Sequence, residues 1–175
     1  MAFRSKVFCT VLLLLAGFGI RAQHSFPKDW IGNWKGEVKW FKTAGDTPQV
    51  VKMELRIQPA GTAGQYTWRL IYGTENKDDR PYILKPVDTA KGHWLLDEVN
   101  GILIDQYYVG GRLSCVFTVM NNTIVNNCWR EGDKLVVEFY SVSVSPVSTT
   151  GKDTEDSPIV NTYRVKSFQR AELRR

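Results

Sequence analysis

The residues able to do acid–base or nucleophilic chemistry are few and scattered. There are two histidines, His24 and His93. His24 sits beside a candidate cleavage point, which leaves His93 as the one imidazole a reaction could use. Serines and aspartates are plentiful, but none lies in a nucleophile motif such as G-x-S-x-G. Asp97 and Asp105 are near His93 in sequence, yet the strand pattern derived below puts them on opposite faces of a sheet. The cysteines form no C-x-x-C pair, and no His stands at ligand spacing from them. A glycine-rich phosphate loop and an aromatic nucleic-acid platform are also missing from the sequence. Asp78-Asp79-Arg80-Pro81-Tyr82 is an acidic, turn-like segment suited to touching a ligand at the end of a sheet. These observations imply no metal and no cofactor, and they point towards binding rather than catalysis.

What positions these groups begins at residue 23. Arg4 and Lys6 precede an apolar run from Val7 to Ile20, and Ile20-Arg21-Ala22 offers a small-residue cleavage pattern. That is the layout of a secretory signal peptide over residues 1–22. The run is shorter than the roughly 20 residues a membrane span requires. The expectation is an exported product, periplasmic or extracellular, soluble and without a transmembrane segment, formed by a single domain over residues 23–175. Without the leader, the balance is 20 basic against 18 acidic residues. No basic patch of the kind that marks a nucleic-acid surface is left, and the dense tail Arg170 to Arg175 reads as a solvated end. Eighteen aromatics remain, enough for one core or a lined cavity.

The body of the chain alternates with period two. Met53, Leu55 and Ile57 interleave with charged residues, and Tyr66, Trp68, Leu70 and Tyr72 interleave with Thr67 and Arg69. Half-buried strands read this way. Ten strands are predicted near 31–41, 50–58, 65–73, 80–87, 92–98, 102–109, 112–120, 123–130, 134–144 and 159–169, with no amphipathic helix. Asn100-Gly101, Gly110-Gly111, Asn121-Asn122 and Gly132-Asp133 can each supply the positive φ angles of a two-residue hairpin loop. Four such turns in succession specify a five-stranded meander. They set Val99 opposite Ile102, Val109 opposite Arg112, Met120 opposite Thr123 and Glu131 opposite Lys134.

Cross-strand partners share a face. The more apolar face then carries His93, Leu95 and Asp97, then Ile104, Gln106 and Tyr108, then Leu113, Cys115 and Phe117. It continues with Ile124, Asn126, Cys128 and Arg130, and ends with Leu135, Val137 and Phe139. This face is expected to be the interior. In that register Cys115 and Cys128 stand directly opposite on a non-hydrogen-bonded pair. A cross-strand disulfide is geometrically open to them there, and it would add about 3 kcal/mol in the chain-entropy model.

Ile31-Gly32-Asn33-Trp34-Lys35-Gly36-Glu37 resembles the Gly-x-Trp opening of the lipocalins and related calycins. The resemblance covers the first strand by motif and the rest by architecture. It implies an all-β fold, a single antiparallel up-and-down barrel of about 8–10 strands. It also implies that Trp34 closes one end of the barrel against an arginine near the C-terminus, with Arg170 preferred over Arg164. The chain departs from the fatty-acid-binding proteins, because Tyr163-Arg164-Val165 lacks their Arg-x-Tyr and Thr43 to Gln49 leaves no room for their two helices. It departs from haem-binding barrels by having no histidine near the C-terminus. The ligand expected is a small hydrophobic or amphipathic molecule. Trp68, Tyr82, His93, Gln106, Tyr108, Phe117, Asn126 and Phe139 are the candidate cavity residues, apolar walls with a few polar groups among them. Two other readings stay open: a packed barrel whose loops bind protein or glycan, and a calycin-type isomerase or cyclase using the cavity. The sequence leaves the oligomeric state undetermined.

Overall fold

Period-two alternation puts one apolar row on each strand, and that row must be hidden from water. Rolling the sheet until its edges meet hides all the rows at once. The computed structural model describes residues 25–42, 44–45, 47–75 and 77–175. The signal-peptide reading falls outside them. The strands are β1 (Gly32–Phe41), β2 (Gln49–Pro59), β3 (Tyr66–Tyr72), β4 (Asp78–Asp88), β5 (His93–Asp97), β6 (Leu103–Val109), β7 (Arg112–Val119), β8 (Asn122–Glu131), β9 (Lys134–Ser143), β10 (Ser148–Thr150), β11 (Val160–Thr162) and β12 (Val165–Arg174). Ten of them form one closed antiparallel barrel in the order β1-β12-β9-β8-β7-β6-β5-β4-β3-β2. β10 and β11 pair separately as a short ribbon in the long connection before β12. Closure is made by β1 on β12, from Lys35 opposite Arg174 to Phe41 opposite Phe168. Among the described residues, no helix is long and apolar enough to cross a membrane.

The inward rows are those the alternation implies. Met53, Leu55, Ile57, Leu84, Leu135 and Leu173 are almost wholly buried. Two of the four hairpins have the calculated register, Val109 opposite Arg112 and Glu131 opposite Lys134. The other two differ, each for a local reason.

Between β5 and β6 the loop has three residues, Val99 to Gly101, closed by Glu98 N–H donating to the Ile102 carbonyl at 3.0 Å. The Asp97 carboxylate accepts the Val99 amide at 2.7 Å, and the Asn100 side-chain oxygen accepts the Ile102 amide at 2.9 Å. Short polar side chains capping the backbone in this way favour the larger loop. One extra residue turns β5 over relative to β6. Trp94 and Leu96 therefore point inward, and His93, Leu95 and Asp97 point outward. His93 stacks on Tyr107 at 4.9 Å and its Nε2 lies 2.7 Å from Asp105. It does not reach the interior.

Between β7 and β8 the turn is centred on Met120 and Asn121, with Met120 at φ 51°. Asn122 is drawn into the strand, where its side-chain oxygen accepts from Lys166 Nζ at 2.9 Å and Ser141 Oγ at 3.2 Å. The slide is two residues, so every side chain keeps its face. The cysteines no longer meet: Cys115 stands opposite Asn126, and Cys128 opposite Leu113. Both are free and buried, which corrects the expected disulfide. Burial raises both thiol pKa values, and for Cys115 a hydrogen bond with Gln106 pulls weakly the other way. Such thiols are inert while the fold holds. A thiol reagent without reductant is expected to find neither of them in the native protein and both after denaturation. Finding none after denaturation would restore the disulfide.

The last strand lies further along than predicted. Val160–Thr162 contribute only to the short ribbon, and the tail read as solvated is the second half of β12, with Ala171 and Leu173 buried. Alternation puts Arg170 on the outer face. It donates to Glu138 at 2.6 Å and Glu172 at 3.0 Å, so it does not close the barrel against Trp34. Glu172, held by Lys134 and Arg170, has its carboxyl pulled down to about 2.

Candidate functional site

One end of the barrel is sealed by aromatics. Residues 25–31 cross it, with a single 3-10 turn at Lys28–Trp30. Phe26 stacks on Tyr108 at 4.4 Å and meets Trp30 and Trp94 edge-on at 4.8 and 5.2 Å. Trp30 in turn lies 6.2 Å from Trp68. Trp34 Nε1 donates to the Trp30 carbonyl at 2.7 Å, which ties the crossing segment to β1. The arginines on the Trp34 ring are Arg175, 4.5 Å from the centroid, and Arg130, 5.6 Å away. Both also donate to the Asp29 carbonyl, at 2.7 and 3.1 Å. Trp34 is thus buried beneath the guanidiniums of Arg175 and Arg130, and Arg170 is not among its partners. Trp68 and Tyr108, expected as cavity walls, belong to this seal.

The opposite end is different. Partners followed around the barrel from Trp94, which itself meets Phe26 of the seal, give one inward circuit through Gln106, Cys115, Asn126, Phe139, Gln169 and Trp40. Towards the mouth from it lie Phe117, Ile124, Ser141 and Tyr82. Gln106 is 3 % exposed and hydrogen-bonds Cys115. Asn126 Nδ2 donates to the Glu138 carbonyl at 3.0 Å. Yet Asn126, Phe117, Ile124, Phe139 and Tyr82 are only half-buried. An inward side chain in a closed barrel can gain solvent contact only from the interior or the mouth. These inward side chains therefore keep contact with solvent at or inside the mouth. Trp40 adds an indole N–H that is buried and has no acceptor; an unpaired buried donor is costly and invites a partner.

Charges ring the mouth. Arg80, paired with Asp78, lies 5.2 Å from the centre of the Tyr72 ring, and Lys42 lies 4.5 Å over Trp40. Burial pushes the Tyr72 hydroxyl up to about 12 and raises Tyr82 as well, with the nearby Glu98 adding to it. These tyrosines stay protonated as hydrogen-bond donors. Of the eight cavity candidates, the structure puts Tyr82, Gln106, Phe117, Asn126 and Phe139 on the inner face of the barrel, Trp68 and Tyr108 in the seal, and turns His93 outward. Sequence reasoning missed Trp40 and Gln169. The signal for Trp40 was present, since it follows Trp34 at even spacing on the same strand. No cluster of three or more His, Cys, Asp or Glu able to hold a metal occurs among the described residues.

The fold defines the class: a single closed, ten-stranded, antiparallel up-and-down barrel. Neither a protein-family model nor a curated protein matches the chain. Among solved structures, a protein of unknown function from Nostoc punctiforme, of the DUF3598 family, is similar, with TM-score 0.56 and 14% identity over 85% of this chain and 48% of that one. The likeness shows the fold alone, and the present chain spans about half the length of that neighbour.

Proposed function

We propose that this protein is an exported, calycin-like barrel that carries a small amphipathic molecule in the open half of its lumen. The observation that supports this reading best is the set of inward residues, Tyr82, Phe117, Ile124, Asn126 and Phe139, that keep solvent contact inside a closed barrel. Apolar rings would cover the ligand's body, worth about 25 cal/mol per Å² before association costs. Asn126, Gln106 and the Trp40 N–H would orient its polar group. The sealed end makes the lumen a cup with one entrance, and Arg80 and Lys42 at the rim favour a head group able to accept hydrogen bonds.

Native mass spectrometry of the protein purified from its own exporting cell should show a discrete added mass that organic extraction removes. The emptied protein should then take up the uncharged probe N-phenyl-1-naphthylamine at one saturable site. Asn126→Trp, which fills the open half, should abolish that uptake. A bare mass with no uptake would overturn the carrier reading and leave a packed barrel acting through its loops. For an identified polar-headed ligand, Gln106→Leu should weaken binding by about 1–3 kcal/mol through the lost buried partner; unchanged affinity would remove Gln106 from the site.

A further inference from the structure

The long connection between β9 and β12 carries the ribbon that packs on nothing else. β10 and β11 form three residue pairs, from Ser148 opposite Thr162 to Thr150 opposite Val160. They belong to no larger sheet, so the outer edge of each strand is unpaired among the described residues. From residue 144 to residue 166, every residue but Ser157 is exposed. A two-stranded ribbon in water is marginal by itself and gains stability from a further strand or a packed face.

The composition suits a further strand. Val147, Thr149, Thr150, Ile159, Val160 and Thr162 are β-branched. Neither 144–151 nor 157–163 contains a charged residue, and charge is one of the devices that keep an exposed edge from pairing. The β11 side is the more apolar, with Ile159, Val160 and Tyr163 each about half exposed.

The charges stand at the two ends of the ribbon. The tip carries three acids, Asp153, Glu155 and Asp156, against Lys152, a net −2; the base carries Arg164 and Lys166, a net +2. None of these forms an ion pair among the described residues. Asp156 and Arg164 are eight residues apart, roughly 26 Å of extended chain, too far to meet within one ribbon. Tip and base meet when two ribbons lie side by side and antiparallel, the arrangement a two-fold axis produces. Antiparallel pairing of β11 centred on Asn161 puts Ile159 opposite Tyr163 of the second copy. It also brings Glu155 and Asp156 alongside the second copy's Arg164 and Lys166. Symmetry makes each contact twice.

We infer that β11 pairs with β11 of a second copy of this chain, making a four-stranded antiparallel sheet across a two-fold axis at Asn161. The pairing is independent of the lumen and stands or falls apart from the carrier reading. Joining two short ribbons buries less than a standard interface, so the association is weak and shows between about 10 μM and 1 mM. Sedimentation equilibrium of the purified protein at low salt should find monomer and dimer over that range. Arg164→Glu, and separately Glu155→Lys with Asp156→Lys, should each weaken the dimer by about tenfold or more, because each charge conflict occurs twice. An equimolar mixture of the two variants should recover dimer, since each offers the charge the other lacks.

Asn161→Cys marks the axis. Antiparallel pairing holds the two Cα atoms about 4.5–5.5 Å apart, so a short bismaleimide should join the copies, while Cys115 and Cys128 are buried and stay out of the reaction. Thr149→Cys, on the far strand, lies three strand spacings from its mate, about 14 Å, and should not be joined. A monomer mass at every concentration up to about 1 mM would overturn the self-pairing and leave the edge to a strand of another protein. An association indifferent to Arg164→Glu, no recovery on mixing, or joining through Thr149→Cys in place of Asn161→Cys would each overturn it as well.

Discussion

Replacing Trp34 with alanine should cost about 3–5 kcal/mol of folding stability, the range for deleting a buried tryptophan side chain. Trp34 is 1 % exposed at the base of the barrel. Three things are lost together. The cavity left behind sits among Trp30, Arg130 and Arg175 and cannot collapse without moving β1. The Trp30 carbonyl loses its 2.7 Å donor. The guanidiniums of Arg175 and Arg130 lose the ring on which they rest. Equilibrium urea denaturation measures the total. Trp34→Phe separates the parts, because it keeps most of the volume and removes only the N–H, and it should cost about 1–2 kcal/mol. If Trp34→Ala cost under about 1 kcal/mol, the seal would not depend on this residue.

Gly92→Ala should be of similar size, about 2–5 kcal/mol, from two sources. Gly92 ends the short turn Thr89–Lys91 at φ 71°, a left-handed conformation that alanine adopts at a cost. A Cβ there would also press well inside contact distance of the Tyr108 carbonyl, which is backbone and cannot swing aside. The approach is close because the Tyr108 amide donates to the Gly92 carbonyl at 2.7 Å. Tyr108 carries the stacking face for Phe26, so the substitution should also lower the near-ultraviolet circular dichroism of the seal. Gly101→Ala is the matched comparison: its φ is +99°, and its Cβ would meet nothing within 4 Å. It carries backbone strain without the collision, and the difference between the two variants isolates the collision. Equal losses would mean that the strand below Gly92 gives way freely.

Much of the fold was legible because the signals that carry it act over a few residues. A strand with one wet and one dry face must alternate, so Met53-Leu55-Ile57 and Tyr66-Trp68-Leu70 could be placed on the interior without knowing their neighbours. Gly110-Gly111 and Gly132-Asp133 sit where positive φ is required, and their hairpins have the calculated register. Asn100-Gly101 and Asn121-Asn122 carry the same two-residue signal, and there side-chain hydrogen bonds decided otherwise. Lys166 and Ser141 engage the Asn122 side chain and shift the third turn; side-chain caps within the Asp97–Ile102 loop enlarge the first. Parity then did the rest. A slide of two residues left Phe117, Asn126 and Phe139 facing inward and only separated the cysteines, whereas a slip of one turned His93 out of the site.

The sequence by itself determined the all-β class, the number and order of most strands and four of the five inward rows of the meander, because pleat, turn chemistry and hydrophobic period are properties of short segments. Only the tertiary structure decided which arginine meets Trp34, that the basic tail is a barrel strand, that Phe26 and Trp30 seal one end, and that Trp40 brings an unpaired donor to the other. Those outcomes depend on residues from opposite ends of the chain meeting once the sheet has closed. Until closure, Arg170 and Arg175 are equivalent cations on one segment; afterwards the alternation of β12 and the position of its end put one outside the barrel and the other on the ring.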